Sequence, residues 1–301
     1  MSFKTIINNL FTTSMIIFFT YYFYQNRNLI SSDDFNFVLI IPIILISIGR
    51  YFINALIDIK LLQNFDVNLS FSESLNLTVF NTFGNLIAPL KVGSGIKIAY
   101  LKSKHKLSIY KYLIINTQYS FLYLALSGFL LFSVIFIYEE EYKDQSRILL
   151  FIFSVFIILF FIFVKRYNFE NKKDKYNKYF FDFISMFNFT TIRLNVKNII
   201  FFSILHLFFG FINIFLIFLF LKFDNKFLES LYFNLITNLS SVVSITPGNI
   251  GLLEIIHIIF KELYTLTTFE VIVVSVASRV ASLTSLLILN IYTRLRRQSL
   301  I

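Results

Sequence analysis

Long apolar stretches separated by short polar joints dominate the chain. A helix crossing the hydrocarbon layer takes about 20 mainly apolar residues. Six stretches meet that rule, at 5–24, 35–57, 109–138, 148–164, 199–221 and 269–292. The first has one basic residue ahead of it, Lys4, and no small-residue cleavage pattern before Arg27, so it reads as a span and not as a removable signal. Two more stretches, 71–101 and 227–263, are apolar enough to enter a bilayer but are interrupted, one by Pro89, Gly93 and Gly95, the other by Pro247, Gly248 and Gly251. Lipid cannot satisfy the backbone groups such breaks expose. Both are therefore expected to be re-entrant hairpins, shielded by protein or lining a wet cavity.

The two broken stretches parallel each other. Phe71-Ser72-Glu73-Ser74-Leu75 matches Phe227-Leu228-Glu229-Ser230-Leu231, and Thr78, Asn81, Thr82 and Asn85 match Asn234, Thr237, Asn238 and Ser241. Each polar set falls at i, i+3, i+4, i+7, which draws a stripe down one helix face. The implied unit is span, span, hairpin, span, over residues 1–140 and again over 147–297. An odd number of crossings per unit inverts the second copy, the layout of many secondary transporters whose site lies where broken helices meet. The stripes are expected to line a shared cavity; the plainer alternative is that Asn and Thr hydrogen bonds simply glue packed helices.

Composition agrees with the patterning. Of 301 residues 57% are hydrophobic and only 15% charged, against about 25% charged in a soluble domain. That excludes a soluble enzyme and predicts one all-helical membrane domain over 1–301. The absence of cysteine removes disulfides, thiolate nucleophiles and Cys-ligated metal. With the N-terminus inside and both hairpins returning to their own side, most of the 27 Lys and Arg fall inside, including Arg294, Arg296 and Arg297, while Glu139-Glu140-Glu141 falls outside. This predicts the cytoplasmic (inner) membrane with both termini cytoplasmic. A net charge of +10 beside apolar runs points to anionic lipid and not to nucleic acid. With no Trp, the interfacial belt is assigned to Tyr21, Tyr22, Tyr24, Tyr138, Tyr264 and Tyr292. The basic, aromatic stretch from Lys165 to Lys197 reads as an amphipathic helix on the inner leaflet.

Arg50, His206, Glu254, His257 and Arg279 are the ionisable residues expected at membrane depth, where such groups face a bundle interior or pair with each other. Glu254 and Arg279 are expected to pair, as a structural lock or with a gating or substrate role. Glu254 and His257 mimic part of a carboxylate-bridged metal motif, but no further inward carboxylates complete it, so no metal and no cofactor is expected. Lys91 and Lys97, nearest the first break, are expected to meet an anionic headgroup, and Lys102, Lys104 and Lys106 to set orientation. No phosphate-binding loop is present, since Gly93-Ser94-Gly95-Ile96-Lys97 lacks the required spacing.

At the hairpins the chain resembles the transmembrane region of the lysylphosphatidylglycerol synthase family, flippase-like membrane proteins also found beside glycosyltransferases and in glycolipid gene contexts. Thr246-Pro247-Gly248-Asn249-Ile250-Gly251-Leu252-Leu253-Glu254 resembles the family's proline, glycine, glycine, glutamate turn, with Asn249 in place of a glycine. In the first hairpin, Ser94 stands where the family has an acid and Lys97 where it has an arginine. The resemblance implies a flippase-like protein that translocates or presents an anionic phospholipid or lipid-linked glycan. No aminoacyl-transferase domain is expected after Arg297, and no enzymatic activity. The rival readings are a non-transporting accessory subunit of a glycosyltransferase or polysaccharide assembly system, and an intramembrane transferase.

Overall fold

The computed structural model describes residues 35–88, 91–138, 195–223, 227–240 and 249–298, and every regular element among them is helical. The helices are α1 Ile40–Leu62, α2 Phe71–Ile87, α3 Val92–His105, α4 Ile109–Tyr138, α5 Val196–Phe220, α6 Phe227–Ser240, α7 Leu252–Ile259 and α8 Thr268–Gln298. Four of them, α1, α4, α5 and α8, are long and apolar enough to cross a membrane. They carry the spans expected at 35–57, 109–138, 199–221 and 269–292. The spans expected at 5–24 and 148–164, and the inner-leaflet helix across 165–197 apart from its last residues, lie outside the described residues.

The remaining four helices form two pairs, each leg shorter than the roughly 20 residues a crossing needs. Helices α2 and α3 have 17 and 14 residues, α6 and α7 have 14 and 8. Local chemistry sets their ends. Ser70 caps α2 by accepting the amide of Glu73 at 3.2 Å. At the other end Ala88, which precedes Pro89, is extended at φ −114°, ψ 144°, because a following proline ring excludes the helical conformation. Lys91 at φ 55° then turns the chain into α3. The legs run antiparallel: Ser94 meets Asn81 near the tip, while Tyr100, Lys104 and His105 meet Glu73 at the base.

The two pairs are rooted at opposite ends of the bundle. Leu62, Leu69, Leu77, Leu101, Leu107 and Tyr112 cluster where α1 stops and α4 starts. Asn195, just before α5, donates to the Lys60 carbonyl at that same end. Phe218, Leu221, Phe233, Leu263 and Val271 cluster where α5 stops and α8 starts, and there the Asn36 amide reaches the Phe220 carbonyl at 2.8 Å. Burying these side chains against one another fixes the base of each hairpin to its own end.

Backbone geometry echoes the arrangement. Among the described residues, the non-glycine residues at positive φ are Asp66, Lys91, Lys106, Lys222, Asn249 and Thr265. They fall before, at the tip of, and after each hairpin in turn, the places where the chain must reverse.

Candidate functional site

The tips of both hairpins line one cavity of about 550 Å³. Its wall is built from stripes of one spacing on five helices. Asn81, Thr82 and Asn85 on α2 and Asn234, Thr237 and Asn238 on α6 line it. Ser47, Arg50, Tyr51 and Asn54 on α1, Asn116, Tyr119, Ser120 and Tyr123 on α4, and Ser278, Arg279 and Ser282 on α8 complete the wall. The sequence reading missed the α1 and α4 stripes, because a search for apolar runs averages over a few polar residues. The i, i+3, i+4, i+7 spacing that singled out α2 and α6 was present in both. Helix α5 adds His206 and Asn213.

Two residues expected in the cavity are elsewhere. The Lys97 ammonium lies 2.6 Å from the Asp58 carboxylate with the side chain only 6% exposed, so its charge is consumed by an ion pair outside the wall. Thr78 is buried too, its hydroxyl donating to the same Asp58 oxygen at 3.1 Å. The two lock the first hairpin to α1. Asp58, which the sequence reading did not single out, is the hub of that lock. Lys91, by contrast, does face the cavity. Pro89, Pro247, Gly248 and Ser241 lie outside the described residues.

The first break is held by a polar knot. Asn81 Oδ1 accepts from the Ser94 hydroxyl at 3.0 Å, and Asn85 Oδ1 accepts from the Ser94 amide at 3.3 Å. Ser94 is thus a hydrogen-bonding strut between the legs. Gly93 seats against α2 so closely that a Cβ there would lie 1.9 Å from the Asn81 carbonyl oxygen. A Cβ on Gly95 would meet nothing within 4 Å, while its amide donates to the Lys91 carbonyl at 3.3 Å.

At the second break Asn249 adopts φ 56° and Gly251 φ 87°, angles that asparagine tolerates and glycine adopts freely. The Gly251 amide donates to Glu254 Oε2 at 2.7 Å, which places a carboxylate at the start of α7, where the helix dipole favours it. Glu254 is 1% exposed. Arg279 donates to its other carboxylate oxygen and to the Asn249 carbonyl. Span α8 thereby holds the tip of the second hairpin.

The histidines are engaged. His257 is buried, stacked on Phe233 with ring centroids 3.7 Å apart, and its Nε2 lies 2.9 Å from the Thr237 hydroxyl. His206 Nδ1 lies 2.8 Å from the Tyr123 hydroxyl. Among the described residues no three His, Asp or Glu gather as a metal site.

A family model described as lysylphosphatidylglycerol synthase TM region matches residues 6–289. The chain belongs to that family. No curated protein and no solved structure matches it. Membership in the lysylphosphatidylglycerol synthase TM region family covers both hairpins and all the cavity-lining residues, so the described site lies wholly within the matched region.

Proposed function

We propose that this polytopic membrane protein is a flippase-like carrier, passing the headgroup of an anionic phospholipid or lipid-linked glycan across the cytoplasmic membrane while the lipid tails stay in the bilayer. The observation that carries the reading is the polar hollow of about 550 Å³ between the two oppositely rooted hairpins. That volume falls in the range of small-molecule sites: it accommodates a headgroup but not a whole lipid. Polar side chains at mid-membrane are costly in hydrocarbon and mark pathways, and here helices α1 to α6 and α8 turn theirs to one space. The reading assigns no catalytic step. It takes both termini to be cytoplasmic, supported by the bias of Lys and Arg along the sequence.

Reconstitution in liposomes carrying headgroup-labelled lipid tests it. With a membrane-impermeant quencher, protein-free vesicles lose only the outer-leaflet signal. The expected result is loss extending past that fraction when the protein is present, and a slowing of at least tenfold in an Asn81→Leu/Asn238→Leu variant. Loss confined to the outer leaflet would remove the translocation reading and leave the accessory-subunit reading in its place.

A further inference from the structure

Three basic residues at the described hairpins and spans are placed for ionic roles inside the bundle: Lys97, Arg279 and Arg50. Two have a carboxylate of their own, Asp58 for Lys97 and Glu254 for Arg279. Arg50, midway along α1 and on the cavity wall, has none within ion-pair distance among the described residues, and its Nε is buried with no hydrogen-bond partner. A lone guanidinium at that depth is costly unless an anion joins it.

The surroundings make room for one. Gly210 on α5 faces Arg50, and a Cβ there would come 3.3 Å from the guanidinium carbon and 2.5 Å from Asn234 Oδ1. The glycine lets Arg50 and Asn234 share one corner of the cavity. Lys91, at the tip of the first hairpin, adds to the wall a second cation with no carboxylate partner among the described residues. No Asp or Glu lines the cavity among the described residues, since Asp58 and Glu254 are already spent. The wall therefore attracts a phosphate, whose oxygens match the planar fork of arginine, and offers a positively charged headgroup no carboxylate among the described residues.

Building on the carrier reading, we propose that Arg50 anchors a phosphate site in this cavity and that the site selects net-anionic headgroups over those that also carry an amine. The recognised group is a phosphate ester, carried on a lipid or free in solution.

Purified full-length protein in detergent, titrated with dioctanoyl phosphatidylglycerol, dioctanoyl phosphatidylethanolamine or inorganic phosphate, tests this. Wild type is expected to bind the phosphatidylglycerol at least tenfold more tightly than the phosphatidylethanolamine. Arg50→Gln is expected to lose at least tenfold of the phosphatidylglycerol affinity, and Arg50→Lys to keep part of it. Competition by inorganic phosphate would support a site for free phosphate as well. Its failure to compete, with phosphatidylglycerol bound through Arg50, would support a lipid-borne phosphate only. Should Arg50→Gln not fold, Gly210→Ala, which crowds the same corner, is expected to weaken phosphatidylglycerol binding severalfold. Equal affinity for the two lipids, or unchanged affinity in the Arg50 variants or in Gly210→Ala, overturns the proposal. Binding is read here without transport, so the two readings fail separately. Arg50-dependent binding without lipid movement ends the carrier reading alone, and wild-type movement and affinity in Arg50→Gln ends this site alone.

Discussion

Arg279 on the last span holds Glu254 at the head of α7, and the same guanidinium reaches the Asn249 carbonyl at the left-handed turn just before it. One side chain thus fixes both the charge and the backbone of the second break. Removing one partner of a buried pair leaves the other charge uncompensated, at a cost of about 3–5 kcal/mol. Glu254→Gln and Arg279→Gln are each expected to lower unfolding stability by that order in detergent. The double variant should lose less than the two single losses combined. Additive losses would show that the two groups do not act as a pair.

The Asp58 hub allows a graded test. Asp58→Asn strands the buried Lys97 ammonium and should destabilise by about 3 kcal/mol. Thr78→Val removes one hydroxyl donor to the carboxylate while Lys97 stays paired, and should cost about 1.5 kcal/mol. Chemical unfolding of the two variants side by side checks the order; if they cost the same, Lys97 does not depend on Asp58.

Glu73, at the base of the first hairpin and outside the spans, gives a pH dependence. Burial opposes its charge, but hydrogen bonds from His105, Tyr100 and Lys104 outweigh that and hold its carboxyl down at about 2, against an ordinary 4.5. A carboxyl depressed by folding stabilises the fold fully above its ordinary value and loses that contribution as pH falls from about 4.5 to about 2. Unfolding midpoints measured across this window should fall for wild type and fall less steeply for Glu73→Gln. Parallel curves would count against the network.

Two glycines two residues apart should respond in opposite directions. Gly93→Ala drives a methyl into the Asn81 carbonyl oxygen and is expected to cost about 3 kcal/mol, at the upper end of overpacking penalties. Gly95→Ala meets open space and should gain about 0.5–1 kcal/mol from the lower conformational entropy of alanine in a helix. Thermal unfolding of the two purified variants decides it.

Much of this architecture is legible in the sequence because hydrophobic length and backbone breaks are local signals. The four described spans, the two interrupted hairpins and the cavity-facing Asn81, Asn85, Asn234 and Asn238 all follow from such signals. So does the proximity of Glu254 to Arg279, since two opposite charges in apolar surroundings have few other partners. Lys97 was misassigned for a reason of distance. It sits near the break in sequence, but its partner Asp58 lies 39 residues earlier on another helix, and no periodicity connects them. The stripes on α1 and α4 carried a readable signal of the same form as those on α2 and α6. They went unread because hydropathy treats Tyr119 or Asn116 as noise within an apolar run, whereas helical spacing gives them a common face.

The contact between Gly93 and the Asn81 carbonyl has a mechanical corollary. Legs this close leave no room for a side chain between them, so they pack as one unit. At its two shanks Asp66 and Lys106 take left-handed angles at 59° and 55°. Any displacement of that unit from α1 must part both Lys97 and Thr78 from Asp58, and Ser74 from the Ala55 carbonyl.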